Sequence, residues 1–155
     1  MEKPEEQQSA QDAKDEAKEA GIEELSSTTN HTVAIAGEKI AYTATAGTLV
    51  IRDDAGEPKA SVFYVAYTRD GVEDVSERPI TFSFNGGPGS SSVWLHLGAL
   101  GPRRVLMDDE GNPLPPPFRL VDNVYSILDV TDLVFIDPVS TGYSRAAPGE
   151  DAKQF

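Results

Sequence analysis

The 155-residue chain contains no cysteine. Disulfides, thiolate catalysis and cysteine-ligated zinc are therefore excluded. The absence does not fix a compartment, because many periplasmic proteins also lack cysteine. No segment approaches the roughly 18 unbroken apolar residues of a membrane helix, so no membrane span is expected. The opening residues, MEKPEEQQ, lack the apolar core of a signal peptide. Basic residues are scarce, with 13 Lys and Arg against 26 Asp and Glu and a net charge of −13. Nucleic acid is not expected as a partner, because phosphate binding needs clustered Lys and Arg.

The acid is concentrated at the start. Residues 1–24 hold nine acidic residues and three lysines. Residues 1–30 carry no apolar stripe and read as an acidic, disordered tail with nothing to bury. Residues 31–155 read as the folded part. Hydrophobic residues make up 39% of the chain, enough for a packed core. Eleven prolines and thirteen glycines indicate many turns and few long helices.

From Thr32 the pattern is one of short strands. Thr32–Ala36 alternates and is followed by a turn at Gly37-Glu38. Lys39–Ala46 and Thr48–Arg52 are separated only by Gly47, and a polar turn spans Asp53–Pro58. Ser61–Thr68 is the clearest strand, and neither of its faces is strongly polar. These segments predict an antiparallel meander. A second regime begins at Pro79. Ile80–Phe84 is a compact apolar run that stops at Asn85-Gly86-Gly87-Pro88-Gly89. Ser90–Gly98 is expected to be a short helix with a serine N-cap and an apolar face of Val93, Trp94 and Leu97, with Trp94 in the core. Arg103–Met107 predicts a short strand, Asp108–Asn112 a solvated turn and Leu114–Phe118 an extended, proline-rich loop. Leu133–Ile136 is a second compact apolar strand, closed by Asp137-Pro138. Compact apolar strands that stop at glycine-rich loops suit the central strands of an α/β sheet.

The strand–NGGPG–helix unit carries the most chemistry. Three glycines in five residues remove the Cβ atoms that block close backbone approach. Pro88 fixes one φ angle. Such an arch can aim amide N–H groups into an open site, as the oxyanion of an acyl-transfer intermediate requires. Two tandem turns could use the same residues. A phosphate loop is disfavoured, since the G-x-x-x-x-G-K-[ST] spacing and its lysine are missing.

Four segments in order strengthen the catalytic reading: Phe82 to Ser92, Leu100-Gly101-Pro102, Asn123-Val124-Tyr125-Ser126, and Leu133 to Ser144. Together they resemble the serine carboxypeptidase family, over about Thr32 to Ala147 and only the N-terminal third of such an enzyme. The resemblance implies an α/β class, with this chain as the incomplete N-terminal portion of an α/β-hydrolase fold: an antiparallel strand meander leading into the central sheet. It implies a serine-type carboxypeptidase that releases C-terminal residues through an acyl-enzyme, without a cofactor. Gly87 would supply an oxyanion-hole backbone N–H. Asn85, with Gly86, would bind the free C-terminal carboxylate of a peptide substrate. Pro88 and Gly89 would hold the loop's shape. The remainder of the hydrolase domain would be its structural partner, and a periplasmic or secreted location is favoured. Ser83, Ser90 and Ala99 depart from tryptophan, cysteine and glutamate found in many members, which points to a divergent bacterial-type member. Another α/β-hydrolase, an esterase or an iminopeptidase, is the nearest enzymatic alternative. A non-catalytic, strand-rich interaction module is the alternative outside enzymes.

The family's nucleophile lies in G-x-S-x-G. The nearest match, Gly142-Tyr143-Ser144-Arg145-Ala146, follows its strand too late for an elbow, and both His31 and His96 precede it. No nucleophile is therefore assigned within the chain. Ser90, Ser91 and Ser92 read as cap and first-turn residues, and His96 as a surface or packed histidine. His31 lies at the tail boundary, where Asn30-His31-Thr32 forms a glycosylation sequon. Nothing in the sequence resembles a metal site.

Overall fold

The computed structural model of the chain describes residues 22–86 and 89–155. The first strand, β1 (Ser26–Ile35), starts inside the stretch assigned to the tail, and residues 1–21 lie outside the described residues. The early part of β1 is exposed and shows no apolar stripe. It is held instead by backbone pairing with β2 (Glu38–Arg52), from Ser26↔Gly47 to Ile35↔Glu38. Side chains on the same pair add Thr28 Oγ1 to Thr45 Oγ1 at 3.2 Å and Asn30 Nδ2 donating to Thr43 Oγ1 at 2.9 Å. Threonine suits a half-exposed pleated surface, so a strand forms without a hydrophobic signal. His31 thus sits on β1 rather than at a tail boundary, stacked 5.5 Å from the Tyr42 ring.

The connecting turn occupies Ala36-Gly37, one residue earlier than expected, with φ of 50° and 85°. Two successive positive φ values define the turn type that matches the twist of a two-residue hairpin. The break expected at Gly47 is absent, and β2 runs straight through it. Glycine is there for space: an added Cβ would lie 2.6 Å from the Leu25 carbonyl and about 3.0 Å from the Tyr64 hydroxyl.

β3 (Pro58–Arg69) completes the antiparallel meander. Next in chain order come β4 (Ile80–Ser83), β5 (Arg103–Val105), β6 (Leu120–Asp122) and β7 (Asp132–Ile136). The main sheet has the order β1-β2-β3-β7-β4, and the short β8 (Arg145–Ala146) also pairs with β3. β7 is antiparallel to β3 but parallel to β4. Parallel neighbours need a long crossover. Here it runs through a short helix and the separate β5–β6 pair. The architecture is mostly strand with little helix, as in a partial α/β domain.

The helix differs from expectation. α1 covers only Val93–Leu95 and passes into a π-helical turn at His96–Leu100. Trp94, expected in the core, is 70% exposed. The core is built from Val33, Ile35, Ile40, Tyr42, Tyr67, Leu128, Leu133 and Phe135. Leu95 and Leu100 pack against it, so the buried helical stripe avoids both Val93 and Trp94. A π turn changes the residue spacing per turn, which a 3.6-residue pattern misreads.

The side of β4 that points away from this core is uncovered. Ile80, Phe82 and Phe84 alternate with buried Ser83 and are exposed along β4. An uncovered apolar strand at a sheet edge invites association. The chain on its own is therefore expected to bind a hydrophobic dye and to self-associate. A sharp, reversible two-state melt of a dye-negative monomer would contradict this.

Candidate functional site

β4 and β7 run side by side in the same direction, with Ser83↔Phe135 their last paired position. The NGGPG segment and the Asp137–Ser144 segment therefore leave the sheet together, from the carboxyl ends of adjacent parallel strands. Ligands of open α/β sheets bind in the crevice outside those ends. Asn85 follows β4 and is half-buried, while Gly86 is exposed with nothing within 4 Å of an added Cβ. Gly89 has φ of 89°, a conformation glycine adopts at little cost. Gly87 and Pro88 lie outside the described residues.

Behind the loop, the serines do not cap as expected. Ser92 is the N-cap residue of α1, yet its side chain makes no capping bond. Its hydroxyl donates instead to the Ile136 carbonyl, and its N–H donates to Asp137 Oδ1 at 2.8 Å. Asp137 is 7% exposed. Its second oxygen accepts from Tyr143 N–H at 3.2 Å. Gly142, with φ of 47°, packs so closely on this carboxylate that an added Cβ would collide with it. Ser144 is fully buried. Its hydroxyl donates to the Asp137 carbonyl at 2.6 Å and accepts from Phe63 N–H at 2.8 Å. Proton and lone pair are both engaged with backbone atoms.

The helix exit is tied equally closely. The Asn123 amide donates to the Ala99 and Gly101 carbonyls at 2.7 and 2.8 Å, and the Ser126 hydroxyl donates to the Leu100 carbonyl at 2.7 Å. These carbonyls end a helical segment and lack partners within it. Two of the sequence motifs, Leu100-Gly101-Pro102 and Asn123 to Ser126, are thus complementary halves of one hydrogen-bonded structure.

Between α1 and the sheet lies an open cleft of about 600 Å³, bordered by Phe63, Val93, His96, Phe135 and Tyr143. His96 is a packed histidine, as one of its two expected placements had it. Its ring stacks on Phe135 at 4.7 Å, and Nε2 lies 2.6 Å from the Tyr67 hydroxyl. Burial pushes its pKa down to about 4, partly offset by the Asp137 charge. Burial also raises the Tyr67 pKa. A protonated phenol beside a neutral imidazole makes Tyr67 the donor and Nε2 the acceptor. Among the described residues no group of three or more His, Cys, Asp or Glu is placed to hold a metal ion, and no helix is long and apolar enough to cross a membrane.

Sequence reading missed the roles of Asp137, Ser92 and Ser144. A signal was available: an acid at the very end of an apolar strand, followed five residues later by a glycine.

A family model described as serine carboxypeptidase matches residues 37–154. Among curated proteins, the chain is similar to serine carboxypeptidase-like 29 of Arabidopsis thaliana, with 32% identity over 95 residues, covering 60% of this chain. The chain spans 18% of that relative's length. The family match covers most of the chain, and the chain belongs to the serine carboxypeptidase family.

Two predictions concern the packed groups. With the folded pKa of His96 lowered, the unfolded chain binds more protons below the ordinary histidine pKa of 6.5. Stability should therefore fall as pH drops from about 6.5 towards about 4. Melting curves across that range check it, and His96→Asn should flatten the dependence. Ser144→Ala leaves the Phe63 N–H without its partner and should destabilise the chain by about 1–3 kcal/mol. Denaturant titration of the longer enzyme, wild type against variant, reads that loss.

Proposed function

We propose that this chain is the N-terminal part of a serine-type carboxypeptidase built on an α/β-hydrolase fold. The observation that carries the reading is the pair of loops leaving adjacent parallel strands where the family pattern runs. In this reading the remainder of the hydrolase domain brings the nucleophilic serine, the acid and the histidine. The substrate is a peptide with a free C-terminus. The serine attacks the last peptide carbonyl, the C-terminal residue departs, and water hydrolyses the acyl-enzyme.

This chain's contribution is electrostatic and positional. The Gly87 N–H is one of the two oxyanion donors, the other following the nucleophile. The Asn85 side chain, beside Gly86, receives the substrate carboxylate. Pro88 and Gly89 hold the loop's shape. The 155 residues alone are expected to be inactive, because a nucleophile needs a base within hydrogen-bond reach. The engaged hydroxyl of Ser144 and the packed ring of His96 support that expectation. A divergent pocket is also part of the reading: serine at 83 and alanine at 99 carry neither the indole nor the carboxylate found in many members.

In the longer enzyme, Gly87→Pro removes the donor and should lower kcat by about 10²–10³-fold. Unchanged kcat in a folded variant would sink the oxyanion role. Asn85→Ala should lower kcat/KM for peptides with a free carboxylate far more than for matched amides. Equal losses on both substrates would mean that Asn85 only shapes the loop and would favour the esterase or iminopeptidase alternative.

A further inference from the structure

Both stems of the NGGPG segment are referenced to one strand. The entry stem is β4, paired to β7 as far as Ser83↔Phe135. The exit stem is Ser92, whose hydroxyl donates to the Ile136 carbonyl and whose N–H donates to Asp137 Oδ1. Residues 84–91 therefore span two anchors on consecutive residues at the end of β7. One anchor is backbone pairing that any sequence could make. The other depends on two side chains, the Ser92 hydroxyl and the Asp137 carboxylate.

That carboxylate is itself fixed from every side. The Asp137 N–H donates to the Phe63 carbonyl at 3.0 Å, and the Asp137 carbonyl accepts from the Ser144 hydroxyl. Oδ2 accepts from Tyr143 N–H, and Gly142 closes over it. Among the described residues Asp137 has no ion-pair partner. A buried charge without a counter-ion costs folding energy unless hydrogen bonds satisfy it. Two backbone N–H groups, one from each loop, do so here. Charge-assisted bonds of this kind are short and strong. The arrangement serves geometry, since a neutral side chain would fill the same space at lower cost.

We propose that Asp137 is the positioning residue of the NGGPG segment: its carboxylate locks the exit stem at Ser92 to the Tyr143 loop and so sets where the Gly87 N–H is presented. This rests on the oxyanion reading of Gly87. Asp137 touches no reacting atom in this account and acts through Ser92.

The consequence is selective for the transition state. A shifted donor weakens binding of a tetrahedral oxyanion more than binding of a planar substrate or a product. Asp137→Asn can satisfy only one of the two N–H groups and turns an NH₂ towards the other. In the longer enzyme it should lower kcat on a simple ester about tenfold or more, with KM unchanged within twofold. A peptide aldehyde, which forms a tetrahedral adduct on the serine, should lose affinity by a matching factor. The free C-terminal amino acid, as product inhibitor, should keep its affinity. Gly142→Ala presses the same carboxylate out of place without changing its charge, and should give the same signature; it carries the test if Asp137→Asn does not fold. Wild-type kcat and aldehyde affinity in a folded variant would overturn the proposal. So would equal losses for aldehyde and product, which would report general damage to the site. Gly87→Pro separates the two claims. If it leaves kcat intact, the oxyanion reading fails and takes this one with it. If it lowers kcat while Asp137→Asn and Gly142→Ala behave as wild type, only the positioning role fails.

Discussion

At the carboxyl end of β7 one carboxylate and two serine hydroxyls join four pieces of chain. Asp137 receives the N–H groups of Ser92 and Tyr143, Ser92 reaches back to the Ile136 carbonyl, and Ser144 bridges Asp137 to Phe63 on β3. Remove that knot and the glycine-rich segment keeps its entry through β4 but loses its exit. The 138–144 loop would lose its hold on the sheet as well. Buried polar groups of this kind specify one arrangement only when every member is satisfied. Here the carboxylate and both hydroxyls all have partners.

A second polar assembly does the same job at the far end of the helix. Asn123 and Ser126 take up the carbonyls of residues 99–101. Between the two assemblies lies a short, partly π-helical segment that packs Leu95, His96 and Leu100 against the sheet. So brief a helix draws little stability from its own backbone. Its position is set by hydrogen bonds at both ends and by the stacked His96–Phe135 pair. The face of β4 that carries Ile80, Phe82 and Phe84 stays open, where the proposed remainder of the hydrolase domain would have apolar surface to cover.

Much of this order could be read from residues alone. The meander of β2 and β3, the apolar β7 and the Asp108–Asn112 turn follow from alternation and turn chemistry; the proline-rich segment is a loop as expected, but it bends at residues 115–117 instead of running extended. The elements that escaped have physical reasons. The start of β1 is a threonine-rich strand held by backbone and hydroxyl bonds, with no buried stripe to reveal it. Gly47 looks like a break but marks a close approach within one continuous strand. Trp94 looks like core but faces outward, because the helix is too short and too irregular for its apolar periodicity to hold. At the site, the glycine-rich segment was conspicuous. Its anchor was not, because Asp137 acts on residues distant in sequence and Ser92 behaves as a strand-end tie rather than a helix cap.

The central claim is that the loop-bearing ends of β4 and β7 are held rigid by the Asp137–Ser144 assembly. Amide hydrogen exchange of the longer enzyme tests it most directly. The N–H groups of Ser92, Tyr143 and Phe63 should exchange only through global unfolding, with protection equal to that of the β7 amides. Exchange of these three amides at the rate of unprotected turn residues, while β7 remains protected, would contradict the account.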